Sequence, residues 1–300
     1  MTGHKLRLRG RFIIAMQIRL LNETEYELSK SLWLECFPED GEEFVDWYYS
    51  DRSRPEYVLG AFAEGKDTPV SMLHMIPVDM RFMRRTEKVC LVSGVSTKST
   101  LRRRGLCSAL FDRAFPIMRE RGFAATVLQP FDPRFYERYG YRTFILRRRV
   151  ELAAKSVVRP SETVGRPYGE RIAPDPDMLF KLYSYSMLGF SGCTVRSPEY
   201  FRGFIKEYSM DGARLEVTRY GCCAGYAAGG EFHATELFFT SNEALPYLLP
   251  GGFARYSFPL PADHVPPKGS GGAIEEFSMI KPLSPDFRMG PGPMYGFDRY

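Results

Sequence analysis

Arg102-Arg103-Arg104-Gly105 joins an apolar run to an amphipathic one, and no other stretch of this chain has clearer chemistry. The apolar run 89–95 reads as a central buried strand, and a helix pattern opens at Leu106 and runs to Gly122. A helix start leaves its first backbone N–H groups without partners and carries about half a positive charge from the aligned peptide dipoles. With three arginines in the same turn, the segment is a cradle for a strongly anionic group such as a pyrophosphate. Gly105 suits that task, because backbone donors need close approach.

Tyr136 is the second residue with chemistry to offer. Phe135 and Tyr139 lie four apart and share one face of a short helix over 134–139, which Gly140 stops. Tyr136 is rotated off that face, toward a cleft. A phenol with a pKa of about 10 is protonated at neutral pH and can donate a proton. His74 and Glu35 stand as candidate bases, with a structural or surface role as the plainer reading of each. Ser93 and Ser96 have no His/Asp pattern beside them, so a hydrolase triad is not expected. Gly221, Gly225 and Gly229 recur every fourth residue but not as a dinucleotide fingerprint. Arg147-Arg148-Arg149 reads as a solvated strand edge.

The elements that must hold these residues alternate. Strands are expected over 16–21, 57–62, 70–80, 89–95, 125–128 and 142–152, with a helix from Asn22 or Thr24 to Phe37 and a short aromatic helix over 44–49. Pro116 is expected to kink or weaken the helix that follows Gly105. A Pro/Gly-rich linker follows, then helices over 178–188 and 199–208. Strands over 214–220 and 224–228 flank a Gly221-Cys222-Cys223 turn, and further strands run over 234–239 and 277–282. The division expected is an extension 1–15 without fixed structure, a first domain 16–152, a linker 153–170, a second domain 171–283 and a tail 284–300, with Met16 as the natural start.

Composition narrows the class. The chain has 300 residues, 44% hydrophobic and 26% charged, which is ordinary for a globular protein with a sizeable core. A net charge of +5 suits an anionic ligand without arguing for nucleic acid, and no aromatic-basic recognition surface is evident. Six cysteines without a C-x-x-C pair, beside four histidines, argue against a zinc site and for reduced thiols in the cytoplasm. No run of 18 apolar residues exists, so no membrane span is expected.

Two motifs then carry a resemblance. Arg102-Arg103-Arg104-Gly105-Leu106-Cys107 resembles the acyl-CoA signature [Q/R]-x-x-G-x-[G/A] of the GNAT acetyltransferases, with Cys107 where a Gly or Ala is usual. Tyr136-Glu137-Arg138-Tyr139-Gly140-Tyr141 resembles the YxxxG[FY] ending of that superfamily, and the likeness covers residues 16–150. Leu182-Tyr183, Arg196-Ser197-Pro198-Glu199-Tyr200, Gly225-Tyr226 and Thr235-Glu236-Leu237 resemble, more loosely, the degenerate second domain of the Eis-like (enhanced intracellular survival) branch. A third, sterol-carrier-like domain of that branch has no counterpart in this length.

The resemblance implies an α/β fold of two tandem GNAT-like domains, mixed central sheets flanked by helices, the second degenerate. It implies acetyl-CoA as co-substrate, with its pyrophosphate at the turn 102–108: Arg102, Arg103, Arg104, Gly105, Leu106, Cys107 and Ser108. The pantetheine arm would pair with the backbone of Val95 and Thr97. Tyr136 would be the general acid that protonates the departing thiolate, and the terminal carboxylate of Tyr300 the base. The acceptor would be a primary amine on a small molecule or peptide, and Trp33, Phe44, Trp47, Tyr48 and Tyr49 are candidates to line its pocket. No metal is required. The competing reading is a non-catalytic acyl-CoA-binding module.

Overall fold

The structure, a computed structural model, describes residues 16–159, 168–210, 212–290 and 294–295. The expected extension 1–15, residues 160–167 of the expected linker, and Tyr300 lie outside the described residues.

The first half runs β1 (Met16–Leu20), α1 (Glu23–Cys36), α2 (Glu42–Trp47), β2 (Val58–Ala63), β3 (Ser71–Phe82), β4 (Arg85–Thr97), α3 (Leu106–Glu120), β5 (Ala125–Leu128), α4 (Pro133–Glu137) and β6 (Arg142–Ala153). The second runs α5 (Pro176–Ser186), β7 (Cys193–Thr194), α6 (Pro198–Met210), β8 (Arg214–Thr218), β9 (Gly221–Ala228), β10 (Glu231–Phe239), α7 (Leu245–Leu248), β11 (Arg255–Pro261) and β12 (Gly271–Pro282). Local chemistry explains many of these bounds. The Asn22 side chain accepts from the Glu25 amide and Glu25 accepts from the Asn22 amide, a reciprocal cap that starts α1. Asp132 and Asp175 cap α4 and α5 one way only, their side chains accepting from the Arg134 and Met178 amides, each with a proline in the first turn.

The strands form one mixed α/β sheet in the order β1-β2-β3-β4-β5-β12-β6-β11-β10-β9-β8, with β7 on the side of β3. Two pairs are parallel, β4 with β5 and β10 with β11, and each is short. The seam between the halves is an exchange. β12, the last strand, pairs antiparallel with β5, and β6 pairs antiparallel with β11, while β6 and β12 pair with each other. Each half therefore supplies the strand that completes the other's sheet.

Four sequence expectations change. The helix after Gly105 is a single α3 despite Pro116. Pro116 and Asp112 both face solvent, so the Asp112 carbonyl that loses its N–H partner is open to water. Arg147-Arg148-Arg149 is not a solvated edge, because β6 is central. Arg147 is buried against the Phe277 ring at 3.9 Å and pairs with Glu275, partners that lie more than 120 residues away in sequence. Lastly, β11 was not expected at all, and the turn of the strand pair β8–β9 falls before Gly221 rather than after it. Pro259 and Pro261, two apart, share one edge of β11, and β10 leaves its own edge of β11 unpaired beyond Ser257.

The core against the first half of the sheet is built on α3. Leu110, Phe111, Ala114 and Met118 are fully buried on it. At about 1.5–3 kcal/mol for each large apolar side chain, that packing fixes the helix axis, and so fixes where its N-terminus points.

Candidate active site

The site begins where β4 and β5 part. β5 pairs with β4 only at Val89–Leu91, so the rest of β4 has a free edge. The Lys98 N–H donates to the Val70 carbonyl at 2.9 Å, and Ser96 sits opposite Met72. Backbone groups alternate along a strand, so Val95 and Thr97 turn theirs to the free edge. A bulge in β4 at Gly94 bends this segment, and Gly94 has φ +56°. A β-carbon there would lie 2.5 Å from a Trp33 ring carbon and 2.9 Å from a His74 ring carbon. Gly94→Ala is expected to cost about 2–3 kcal/mol, read as a lower denaturant midpoint, from left-handed strain and the clash together.

The basic turn comes next. Glu35 accepts from the amide and hydroxyl of Ser99 at 3.2 and 3.3 Å, which ties the turn to the end of α1. Arg103 has φ +61° and Gly105 φ +84°, left-handed conformations that few side-chain-bearing residues adopt. Together they fan successive N–H groups outward, in the manner of an anion-binding nest. Among the described residues, the amides of Arg103, Arg104, Gly105, Leu106, Cys107 and Ser108 donate to no protein acceptor; the first bond into α3 runs from Ala109 to the Gly105 carbonyl at 3.0 Å.

Arg102 behaves differently. Its amide reaches the Ser99 carbonyl at 3.4 Å and its Nε the Thr97 carbonyl at 3.1 Å, so it braces the turn. The Leu106 side chain is buried in the core and leaves only its backbone to the site. Ser108 Oγ lies 3.1 Å from the Tyr139 hydroxyl, which also accepts from Arg138 at 2.7 Å. Burial raises the pKa of Cys107, so it is a packed thiol.

Two cavities meet here. A groove of about 610 Å³ follows Val95, Thr97, Arg103, Gly105, Cys107 and Ser108, with Arg138 on its rim. A second cavity, about 760 Å³, lies between the halves. The two share Phe37, Val95 and Phe131. Tyr136 lines the second cavity close to that junction; its hydroxyl makes no hydrogen bond among the described residues. Burial, with smaller effects from Cys107 and Tyr139, pushes its pKa well above the usual tyrosine value.

Among the described residues, the second cavity is lined by three carboxylates, Glu39, Asp40 and Glu207, and by no lysine or arginine. Asp40 accepts from Trp33 Nε1 at 2.8 Å, and Glu207 stands 3.7 Å from Arg52. Glu207 and Tyr208 come from α6 and Tyr226 from β9, so the second half builds this wall. Of the five aromatics expected to line it, Trp33 and Phe44 do. Trp47, Tyr48 and Tyr49 are core residues, because the short helix turns them under the sheet.

Neither candidate base stands in the site. His74 is fully buried in a box of Trp33, Tyr48 and Tyr49 rings, and burial pushes its pKa down to about 3. Its Nδ1 is 3.1 Å from Ser53 Oγ, and it is a neutral packed group. Glu35 is spent on Ser99. Sequence reading missed Phe37, Phe131, Glu39, Asp40 and Glu207. The one local signal was Phe131 itself, a large apolar residue in a Pro/Asp turn, which stands 76% exposed.

Residues 17–144 match the family model described as "Acetyltransferase (GNAT) domain". The match lies within the first half and spans less than half of the chain. Acyl transfer is the chemistry of such domains and acetyl-CoA their co-substrate, so the chain is an acyltransferase. A search of curated proteins returned no match. Among solved structures, the fold resembles a conserved protein of unknown function from Enterococcus faecalis V583, described as a probable N-acyltransferase. That match has TM-score 0.72 and 14% identity, covering 89% of this chain and 73% of that one. It also resembles a GCN5-related N-acetyltransferase from Anabaena variabilis (TM-score 0.72, 12% identity, 90% and 73% covered). A third is Eis1 from Mycobacterium abscessus (TM-score 0.68, 16% identity, 89% and 73% covered). These likenesses extend the GNAT-like fold across both halves. The six unpaired amides, the glycine turn and the open edge of β4 fit a diphosphate and an extended amide-bearing arm of the acetyl-CoA kind. Among the described residues, no helix is long and apolar enough to cross a membrane.

Proposed function

We propose that the protein transfers an acetyl group from acetyl-CoA directly to a primary amine carried by a cationic small molecule or peptide. The observation that carries this reading is the junction at Phe37, Val95 and Phe131, where a diphosphate-sized groove opens onto a cavity rich in carboxylates. Arg103, Arg104, Gly105, Leu106, Cys107 and Ser108 offer backbone donors to the diphosphate, Arg102 holds the turn, and Val95 and Thr97 pair with the arm. That extends the thioester toward Val92–Val95, where the two cavities meet.

An alkylamine with a pKa of about 10.4 spends about 4–5 kcal/mol to lose its proton at neutral pH. Glu39, Asp40 and Glu207 attract the ammonium and hold any further cationic groups of the acceptor. The free amine attacks the thioester carbonyl, the C–S bond breaks, Tyr136 gives its proton to the departing sulfur, and the proton shed by the nitrogen as the amide forms passes through water to restore the phenol. The burial that raises the Tyr136 pKa keeps that proton on the phenol until it is needed. Residues 16–152 act as the acetyl-CoA-binding unit and 171–283 as the unit that completes the acceptor wall. The fold shared with Eis1 supports a place in the Eis-like branch.

The test is thiol release from acetyl-CoA against a panel of mono-, di- and polyamines, beside neutral alcohols. Polyamines are expected to turn over best, and Glu207→Gln to raise their KM about tenfold with the acetyl-CoA KM unchanged. Equal KM values for wild type and variant across the amines would remove the acidic wall from the reading. Release with no amine, or none with any, would remove the acceptor assignment.

A further inference from the structure

The second half keeps the shape of a substrate cleft without its phosphate chemistry. In the first half, the cleft is enclosed by the end of β4, the turn after it, the end of β5 and the end of α1. The second half repeats these walls. β10 and β11 are parallel only over Glu231–His233 and then part, and β10 has its own bulge between Ala234 and Glu236. A cavity of about 460 Å³ opens at the split. Phe238 and Phe239 at the end of β10, Ser241 and Asn242 in the turn after it, and Pro261 at the end of β11 with His264 beyond it form three of its sides. Met187 and Phe190, just past the end of α5, form the fourth, and Tyr295 closes the base.

What is missing is as informative as what is kept. The turn Thr240-Ser241-Asn242-Glu243 has no glycine and no basic residue, and the helix after it has four residues instead of fifteen. Among the described residues, no Lys, Arg, Asp or Glu lines the cavity, so these walls reward neither a phosphate nor an ammonium. Its walls are mainly aromatic and aliphatic, with Ser, Thr and Asn groups and one imidazole at the rim. His264 is half-buried and burial lowers its pKa, so it presents a neutral donor and acceptor pair. The volume is within the usual range of small-molecule sites, about 300–1,000 Å³.

We propose that this cavity is a second ligand site, for an uncharged small molecule with an aromatic or aliphatic body and an amide- or hydroxyl-like polar edge. The body lies against Phe190, Phe238 and Phe239, and the polar edge meets Ser241, Asn242 and His264. The site is physically tied to the first half. Arg81 of β3 donates to the Met187 and Phe190 carbonyls, which places the α5 wall of the cavity on the catalytic domain's own sheet.

The test is ligand-observed NMR titration of the full chain with N-acetyl-tyrosinamide and benzamide as neutral probes, and benzoate and benzylamine as charged ones. Saturable binding of a neutral probe is expected, unchanged by saturating CoA and at least about tenfold tighter than the charged analogues. Asn242→Trp, which fills the mouth from an exposed position, is expected to abolish it, and His264→Leu to weaken it about tenfold. Both variants are expected to keep wild-type affinity for CoA, which separates failure here from failure of the acyl-transfer reading. Displacement of the probe by CoA, binding unaffected by either variant, or no saturable binding of either neutral probe would overturn the proposal.

Discussion

Gly105→Asp is expected to raise the KM for acetyl-CoA by about a hundredfold or more while the protein remains folded. Two effects act together. Gly105 holds φ +84°, where a side chain costs about 1–2 kcal/mol. The larger effect is electrostatic. A carboxylate at the N-cap of α3 would occupy the positive end of the helix and stand among the unpaired amides from Arg103 to Ser108. The conformational cost lowers the denaturant midpoint modestly, and the larger loss falls on anion binding. Calorimetric titration with CoA, beside a denaturant midpoint, separates the two. A variant that binds CoA within about threefold of wild type would show that the turn does not hold the diphosphate.

Tyr136→Phe is expected to lower kcat by about a hundredfold with little change in either KM, since the ring that packs against Phe111, Phe131 and Phe135 is retained. The pH profile carries the finer test. The acceptor amine must be deprotonated, so kcat/KM should rise with pH toward the amine's own pKa. A general acid with an ordinary tyrosine pKa would cause activity to fall near pH 10. Burial raises the Tyr136 pKa, so the folded phenol stays protonated further into alkali and that falling limb is displaced upward. Wild type should show the ascending limb alone below about pH 10, and the variant should keep its shape at lower height. Equal kcat for the two proteins would take Tyr136 out of the chemistry.

The part of the site legible in the sequence is the part made locally. Arg102 to Ser108 lie within one turn and the helix it opens, and the amides point outward because of where that helix starts. The same holds for Tyr136, placed by a cap at Asp132 and a stop at Gly140. The acidic wall was not legible. Glu39 and Asp40 follow α1, whereas Glu207 comes from α6, and only the packing of α6 near α2 brings them to one cavity. His74 failed as a base for a related reason: its chemistry depends on burial, which periodicity along one strand does not report.

Residue type and short spacing alone picked out the basic turn Arg102-Arg103-Arg104-Gly105 and the alternation of strands and helices in each half, because these depend on interactions within a few residues. Tertiary structure decided the exchange of β6 and β12, the burial of Arg147 and the carboxylate-lined cavity between the halves. Each of these is a pairing across many tens of residues. A chain's local preferences say where a strand can form but not which distant edge it completes, since that choice is made by the burial and hydrogen bonding gained when whole sheets close.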